Sequence, residues 1–390
     1  MGGLALRRRQ VHRPKGKRIL AVSCAVLAGI CGTRLLVAAL PQMGDWMLQM
    51  TLASAAMTVP DGTAALARER FAQELLDNEI PQELEEMESS SSQASSQEPS
   101  SSQEESSQES SEPLPSIDDI PEENRGAISE VHYSAGSSSA YIPTGSGFLK
   151  NSTNLSRDNV IQQLQKPLEM VIKDTDEPQV LIMHTHATES YAPYDVDFYD
   201  KSNASWRNRD NSKNVVRLGD IITQELNDAG IVTLHDATQH DYPSYNGSYE
   251  RSADTVKGYL EKYPSIKVVI DVHRDAIQRE DGTVIKAVSD INGEKTAQVM
   301  IIAGCDDGTM DMPNWDQNLR FAASLQDSME SAYPGLTRPI FFCYRKYNQD
   351  LTQGSLLLEF GSHGNTLEEC ERTAHDVGKS LAATLKKQIQ

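Results

Sequence analysis

The chain lacks the short motifs on which several common catalytic systems depend. Its 390 residues include five cysteines, and none of them has a Cys-x-x-Cys or other metal-binding spacing. A Gly-x-Ser-x-Gly turn, a Gly-x-Gly-x-x-Gly turn and a Walker phosphate-binding loop are also absent from the sequence. These absences argue against serine and thiol hydrolases and against nucleotide-dependent chemistry. We expect the cysteines to be ordinary buried thiols.

Basic residues are scarce as well. The sequence has 36 Lys and Arg against 56 Asp and Glu, which gives a formal net charge of -20. Much of the excess lies between Pro81 and Asn124, where 13 acidic residues occur without a basic one. Because nucleic-acid-binding proteins present a basic face, we expect no nucleic-acid partner. The Ser, Gln and Glu composition of this segment offers too little apolar area to offset chain entropy, and it predicts a disordered tether.

The N-terminal region combines a basic stretch with an apolar one. Seven arginines and lysines precede residue 19, and the apolar run that follows is interrupted only by Arg34. This order predicts a single-pass membrane protein with a cytosolic N-terminus, and a cleaved signal peptide is the alternative. The predicted organisation has five segments: a cytosolic basic tail (1–18), a transmembrane signal anchor (19–40), a membrane-proximal region without an assigned role (41–82), a disordered tether (83–125) and an extracytoplasmic catalytic domain (126–390).

Short apolar runs and amphipathic patterns alternate through the predicted catalytic domain. The apolar runs predict strands over 178–184, 231–234, 266–273 and 298–303, and one more that ends on Glu359. The amphipathic patterns predict helices over 212–229, 248–262, 315–331 and 366–386. This alternation predicts an α/β fold in three layers, with a mainly parallel sheet flanked by helices.

Histidines and carboxylates follow three of the predicted strands directly. The strand predicted over 178–184 leads to His186 and Glu189, the strand over 266–273 ends on His273, and the last predicted strand ends on Glu359. Because α/β sheets place their ligand sites at the carboxyl ends of the strands, we expect these side chains to meet in one site. Neutral imidazoles and a carboxylate are ligands that suit Zn²⁺. The sequence therefore predicts a zinc site held by His186, Glu189 and His273.

Four further residues are predicted to act around this metal. Glu359 is the candidate general base, although it could instead pair with Arg274 or Arg345. Asp271 could orient the ring of His273 or cap a neighbouring turn. His184 could support the ligands, replace one of them or be a buried strand residue, since strict alternation would place it on the same face as His186. Arg274 is a further supporting residue.

The residues around the predicted site resemble a known protein family. The stretch 180–191, with its His-Thr-His-Ala-Thr-Glu-Ser-Tyr sequence, is similar to a signature of the stage II sporulation protein P family. The stretches 270–276 and 354–361 resemble that family too, as do Asn365-Thr366 and Tyr141-Ile142-Pro143. The resemblance covers roughly residues 130–390, and the predicted anchor and tether agree with the family's layout.

The resemblance implies a membrane-anchored peptidoglycan hydrolase that acts during forespore engulfment, in the engulfing membrane of the mother cell. Such an enzyme cleaves the amide between N-acetylmuramic acid and L-alanine and is reported to cleave peptide cross-links as well. The implied partners are peptidoglycan, the sporulation D protein, which is a lytic transglycosylase, and the sporulation M membrane protein. The implied fold is similar to that of zinc N-acetylmuramoyl-L-alanine amidases.

Comparison with those amidases implies roles for individual residues. Their two zinc histidines correspond to His186 and His273, and their catalytic glutamate corresponds to Glu359. Their glutamate ligand opens the helix after the first strand, where this chain has Asn211, Ser212 and Asn214, so Glu189 is the nearest substitute. Two other functions are compatible with the sequence: a zinc endopeptidase, and a wall-binding scaffold that tethers the membrane to peptidoglycan with little activity.

Overall fold

The computed structural model describes residues 116–202 and 204–389. The predicted segments 1–18, 19–40 and 41–82 lie outside the described residues, as does most of the segment 83–125. The described part begins with two short 3-10 turns, Ile117–Asp119 and Glu122–Asn124. The first strand, β1, follows at Arg125–Val131.

The larger of two sheets has eight strands in the order β2-β3-β11-β10-β12-β7-β4-β6. The pairs β2/β3 and β10/β12 are antiparallel, and the other neighbouring pairs are parallel. The predicted mainly parallel sheet is therefore confirmed. The strands of this sheet are β2 (Tyr141–Thr144), β3 (Gly147–Ser152), β4 (Val180–Met183), β6 (Thr233–His235), β7 (Val268–Asp275), β10 (Val299–Gly304), β11 (Ile340–Cys343) and β12 (Gly354–Ser362).

A second, four-stranded sheet was not predicted from the sequence. Its order is β5-β1-β8-β9, and only the pair β1/β8 is parallel. Besides β1, its strands are β5 (Phe198–Asp200), β8 (Val284–Ile291) and β9 (Glu294–Ala297), and the last two are consecutive along the chain and pair antiparallel. Because β5 and β9 are short and lack a sustained apolar alternation, periodicity gives little signal for them.

Five α-helices complete the described fold. They are α1 (Arg157–Leu164), α2 (Val215–Asp228), α3 (Ser248–Lys262), α4 (Trp315–Ala332) and α5 (Leu367–Lys386). The last four were predicted, with ends within three residues of those observed. Asn214 caps α2 by accepting a hydrogen bond from the Val216 amide, and Thr366 and Glu369 form a capping box at the start of α5.

The helices cover both faces of the larger sheet, which makes the predicted three layers. Along β4, Val180 and Ile182 belong to the main core under α2, α4 and α5, whereas Leu181 and Met183 pack with Val256 of α3 on the opposite face. Strand side chains alternate between faces, so an entirely apolar run can be buried on both sides. The thiols of Cys305, Cys343 and Cys370 are buried and free, as predicted.

The structure contradicts the predicted localisation as a single-pass membrane protein. Among residues 116–202 and 204–389, no helix is long and apolar enough to cross a membrane. The longest described helix, α5, has 20 residues but carries several charged side chains along its length, and ionised groups are costly in the bilayer core. Residues 19–40, on which the anchor was predicted, lie outside the described residues.

Candidate metal centre at the carboxyl edge of the sheet

Two adjacent parallel strands bring the candidate ligands together. The chain leaves β4 at Met183 and turns through residues 184–188, which places His186 and Glu189 beside the end of β7, where His273 lies. Each of the three side chains offers one ligand atom, and these atoms all lie within 4.8 Å of one another. All three residues are buried. The three residues predicted as metal ligands therefore form one compact cluster.

Glu189 lies between the two histidines. Its Oε1 is 3.5 Å from His186 Nδ1, and its Oε2 is 3.5 Å from His273 Nδ1. The backbone N–H of Arg274 donates to the same Oε2 at 3.1 Å. The carbonyl of Glu189 accepts a hydrogen bond from the Val215 amide at 2.9 Å, so this residue is fixed beside the start of α2. Main-chain and side-chain contacts together hold the carboxylate between the imidazoles.

The remaining ring nitrogens of the two histidines face polar groups outside the cluster. His186 Nε2 lies 3.0 Å from Ser248 Oγ. His273 Nε2 lies 2.8 Å from Asp271 Oδ1, within ion-pair distance. Asp271 is itself fixed by Thr185, whose amide donates to Oδ1 at 2.8 Å and whose hydroxyl donates to Oδ2 at 2.7 Å. In both histidines, Nδ1 is thereby left facing the cluster.

The charges in the cluster are strongly coupled. Burial opposes the charged form of Glu189, but Arg274 and the two histidines outweigh it and hold the pKa of Glu189 well below its ordinary value. Burial also opposes protonation of His273, yet Asp271 and Glu189 raise the pKa of His273 well above its ordinary value. Burial lowers the pKa of His186. Without a metal, Glu189 is therefore ionised and His273 carries a proton that a bound cation would displace.

Glu359 lies next to this cluster. In the pairing of β12 with β7 it stands opposite His273. Its side chain is buried, and its Oε2 has no hydrogen-bond partner within the described part of the chain. Burial and the charge of Asp275 raise the pKa of Glu359 well above its ordinary value, with His273 acting in the opposite direction. A buried carboxyl oxygen without a partner, beside three converging donors, is an arrangement that functional sites often contain.

The structure places His184 apart from the cluster. Its Nδ1 lies 2.9 Å from the Val272 carbonyl and its Nε2 lies 2.9 Å from His235 Nε2. Burial and His235 lower its pKa to about 3, so the ring is neutral. Alternation does not keep His184 and His186 on one face, because β4 ends at Met183 and the chain turns immediately afterwards. Of the alternatives for His184, this position fits the buried structural one.

Arg274 and Asp271 both touch the cluster, in different ways. Asp271 contacts the ring of His273. Arg274 contributes its backbone N–H to Glu189, while its guanidinium donates to the carbonyls of Ser190 and Trp206 at 3.2 and 3.1 Å. The guanidinium thus fixes the loop that follows Glu189. The positive charge of Arg338 acts to lower the pKa of Glu359. Its guanidinium donates to Asp275 Oδ2 at 2.6 Å.

Several residues of the site were not predicted from the sequence. Arg207 donates from Nη1 to Asp241 Oδ2 at 2.7 Å, its Nη2 is 3.9 Å from Glu189 Oε1, and its guanidinium lies over the ring of Tyr245 at 4.7 Å. Tyr245 also stacks on His186, with ring centroids 4.5 Å apart. These residues belong to loops of mixed polar composition, where no spacing rule marks a functional side chain. Only tertiary structure brings them to the cluster.

The fold and the cluster define an α/β protein with a candidate metal centre at the carboxyl edge of its larger sheet. A family model described as "Stage II sporulation protein P (SpoIIP)" matches residues 51–382, and the chain belongs to this family. The stage II sporulation protein P of Bacillus subtilis (strain 168) is 34% identical over 211 residues, which are 51% of this chain and 49% of that protein. The chain thus spans about half the length of this curated relative.

Solved amidases show a more distant similarity. The N-acetylmuramyl-L-alanine amidase Ami1 of Mycobacterium abscessus is 13% identical with a TM-score of 0.32, over 54% of this chain and 99% of that one. The CwlD amidase of Clostridioides difficile, solved in complex with the GerS lipoprotein, is 11% identical with a TM-score of 0.32, over 54% of this chain and 98% of that one.

Proposed function

We propose that this protein is a zinc-dependent peptidoglycan hydrolase that cleaves the amide between N-acetylmuramic acid and L-alanine during forespore engulfment. The observation that carries the proposal is the convergence of His186, Glu189 and His273 beside the unpartnered buried oxygen of Glu359. Membership of the stage II sporulation protein P family supports the sporulation role and the cell-wall substrate. Cleavage of peptide cross-links and cooperation with the sporulation D and M proteins are further parts of the proposal.

The donor set fits zinc better than the hard divalent cations. Two imidazole nitrogens and one carboxylate make three protein ligands, the number found in catalytic zinc sites, whereas Ca²⁺ and Mg²⁺ prefer oxygen ligands throughout. The contact of His273 Nε2 with Asp271 supports this assignment, because zinc histidines commonly present their other nitrogen to a carboxylate. When bound, the ion would polarise the scissile carbonyl and lower the pKa of an attacking water.

Glu359 is proposed to move the proton. A general base for this reaction takes a proton from water and then delivers it to the departing amine, so its pKa should lie near the working pH. Burial and Asp275 shift the pKa of Glu359 in that direction, upwards from its ordinary value. Its position opposite His273 places the carboxyl beside the proposed ligands. The geometry and the direction of the pKa shift therefore both suit this role.

Surrounding residues are proposed to hold the ligands in place. Asp271 and Ser248 fix the two rings through their Nε2 atoms, and the Arg274 amide fixes Glu189. Tyr245 stacks against His186 and shields that ring from solvent. Ligands held by packing and hydrogen bonds lose little freedom when a metal binds, which favours a defined coordination geometry.

The full-length protein, incubated with purified sacculi, tests the proposal directly. We expect free stem peptides to be released from the glycan strands, as identified by mass spectrometry, and release to stop when a zinc chelator is added and to resume when zinc is restored. Products in which stem peptides stay attached to glycan while cross-links disappear would instead indicate an endopeptidase. Absence of both products, with zinc bound and sacculi retained, would point to the wall-binding scaffold.

A further inference from the structure

A chain of hydrogen bonds leads from Asn348 to the carboxylate behind His273. The side-chain amide of Asn348 donates to Ser252 Oγ at 3.0 Å. Ser252 Oγ lies 2.8 Å from Thr185 Oγ1, and the Thr185 hydroxyl donates to Asp271 Oδ2 at 2.7 Å. Asp271 Oδ1 in turn lies 2.8 Å from His273 Nε2. Consecutive polar contacts therefore connect Asn348 with a proposed zinc ligand.

The carboxylate at the end of this chain fixes the direction of its hydrogen bonds. An ionised carboxylate only accepts, so the single hydroxyl proton of Thr185 is committed to Asp271. At the contact between Thr185 and Ser252, Thr185 must therefore accept and Ser252 must donate. Both hydroxyl residues are fully buried, so their hydrogen bonds depend on protein partners. The contribution of Thr185 to Asp271 thus depends on where Ser252 sends its own proton.

Ser252 has a second acceptor within reach. Its hydroxyl lies 3.1 Å from the carbonyl of Tyr249, which precedes it by about one turn of α3. The amide of Asn348 donates to the same carbonyl at 2.9 Å, and it also donates to Ser252 Oγ. Because the two N–H bonds of Asn348 supply both oxygens, the hydroxyl of Ser252 is left to donate to Thr185. Without this amide, the carbonyl of Tyr249 would compete for the proton of Ser252.

The backbone at Asn348 has an uncommon conformation. Tyr347 and Asn348 have φ angles of 44° and 56°, in the left-handed region that residues other than glycine seldom adopt. Gln349 anchors the turn on its other side, since its side chain accepts from the Gly304 amide at 2.9 Å and donates to the Ile302 carbonyl at 3.1 Å. Such conformations persist where the surrounding structure fixes them, and they cluster at functional sites. In this turn, the conformation places the amide of Asn348 against α3.

We propose that Asn348 is a positioning residue of the metal centre, whose amide directs the hydroxyls of Ser252 and Thr185 towards Asp271 and so holds the ring of His273. The inference deepens the proposed function and rests on it, because it assumes that His273 binds zinc. Groups behind a zinc histidine orient its ring and tune the affinity for the metal. Asn348 acts only through the chain and touches neither the metal nor the substrate. Its removal should weaken zinc binding and leave the ligands in place.

The zinc affinity of the full-length protein, measured by competition with a chromogenic chelator, provides the test. Asn348→Gly removes the amide and introduces a residue that adopts a positive φ readily. Asn292→Gly is the matched control, because Asn292 is an exposed asparagine with a φ of 57° in the turn between β8 and β9. We expect Asn348→Gly to weaken zinc binding about three- to tenfold, in line with the net contribution of one hydrogen bond. Asn292→Gly should leave the affinity unchanged.

A second substitution separates positioning from a general loss of structure. Ser252→Ala interrupts the chain at its middle, and it should weaken zinc binding even if Asn348→Gly proves too unstable to measure. Adding Asn348→Gly to Ser252→Ala should change the affinity by less than about twofold, because residues that act in one network are not additive. A full additional loss would show that Asn348 acts by another route and would overturn the proposal. An unchanged zinc affinity in Ser252→Ala or in Asn348→Gly would overturn it as well.

The affinity measurement does not depend on hydrolysis, so the two proposals can fail separately. Wild-type protein that binds zinc but releases no peptide from sacculi contradicts the proposed hydrolysis, and the affinities still decide the role of Asn348. Wild-type protein that hydrolyses sacculi, combined with equal zinc affinities of the wild type and Asn348→Gly, contradicts only the role of Asn348. Wild-type protein that binds no zinc contradicts both proposals.

Discussion

His273 and Glu359 stand opposite each other in the parallel pairing of β7 with β12. The pairing becomes irregular immediately after Glu359 and resumes at Ser362, and Gly361 adopts a φ of 61° within this interval. Irregularities of this kind bend a strand and redirect its side chains, and they are common beside active sites. The register of two strands thus sets the relation between a proposed zinc ligand and the proposed base.

Removal of a proposed ligand should release the metal. We expect His186→Ala and His273→Ala to lose zinc during dialysis, whereas His184→Ala should retain it, because His184 contacts the Val272 carbonyl and His235 and lies away from the cluster. Zinc per protein, measured by atomic emission on folded samples, provides the comparison. Loss of zinc from His184→Ala together with its retention in His186→Ala would show that the ligand assignment is wrong.

Substitution of the proposed base should separate metal binding from hydrolysis. We expect Glu359→Ala and the isosteric Glu359→Gln to reduce release of stem peptides by about 10²–10⁴-fold, the range attributed to general acid–base catalysis. Both variants should keep their zinc, since Glu359 is not among the three converging donors. The rate of peptide release and the zinc content are measured on the same samples. Substantial residual hydrolysis would refute the role of Glu359.

The same glutamate should make stability depend on pH in the metal-free protein. Burial and Asp275 raise the pKa of Glu359 in the folded state. The folded state therefore binds this proton more tightly than the unfolded state, and its stabilising effect, complete below the unfolded pKa, is lost as pH rises through the folded pKa. At pH 8 we expect the free energy of unfolding of metal-free Glu359→Gln to be about 1–3 kcal/mol higher than that of the metal-free wild type.

Urea unfolding of both metal-free proteins at pH 8 and at lower pH measures this difference. The advantage of Glu359→Gln should shrink as the pH falls towards the ordinary carboxyl pKa, because the wild-type side chain becomes protonated in both states. A variant that is less stable than the wild type at pH 8 would contradict the raised pKa.

Asp271 should influence zinc affinity without binding the metal. Its Oδ1 lies against His273 Nε2, and Thr185 holds both carboxylate oxygens. We expect Asp271→Asn to weaken zinc binding by about 10–100-fold, as is usual when the carboxylate behind a zinc histidine is changed. Competition with a chromogenic chelator gives the affinity. Asp220→Asn, which alters a carboxylate paired with His235 at 3.0 Å, is the control and should leave the affinity unchanged.

Gly219 should be required for the packing around His184. A Cβ added at this position of α2 would lie 2.6 Å from His184 Nε2 and 2.5 Å from His235 Nε2. Because His184 is fully buried, its ring cannot easily move aside. We expect Gly219→Ala to lower the unfolding free energy by about 1–3 kcal/mol, the usual cost of overpacking. In Gly258→Ala the new methyl meets nothing within 4 Å, so stability should stay level or rise.

Periodicity and composition predicted most elements that position the site. The helix predicted over 248–262 coincides with α3, and the strand predicted over 266–273 overlaps β7 at Val268–Asp275. These patterns are informative because an amphipathic pattern reflects burial of one face over several helical turns, and an apolar run reflects burial of several successive strand residues. The second sheet was missed, since its strands pair with partners far along the chain, as when Ile128 pairs with Val284. The sequence left three roles open for His184, and alternation with His186 could not decide among them because β4 ends at Met183.

The sequence by itself determined that His186 and Glu189 come after β4 and that His273 and Glu359 lie near the carboxyl ends of β7 and β12, because local apolar runs mark buried strands. It also determined the chemical character of His186, Glu189 and His273. Tertiary structure decided which of these atoms converge, and it alone brought Arg207 and Tyr245 to them. The physical reason is that convergence depends on strand order and register, which are fixed by packing of the whole core rather than by any local stretch.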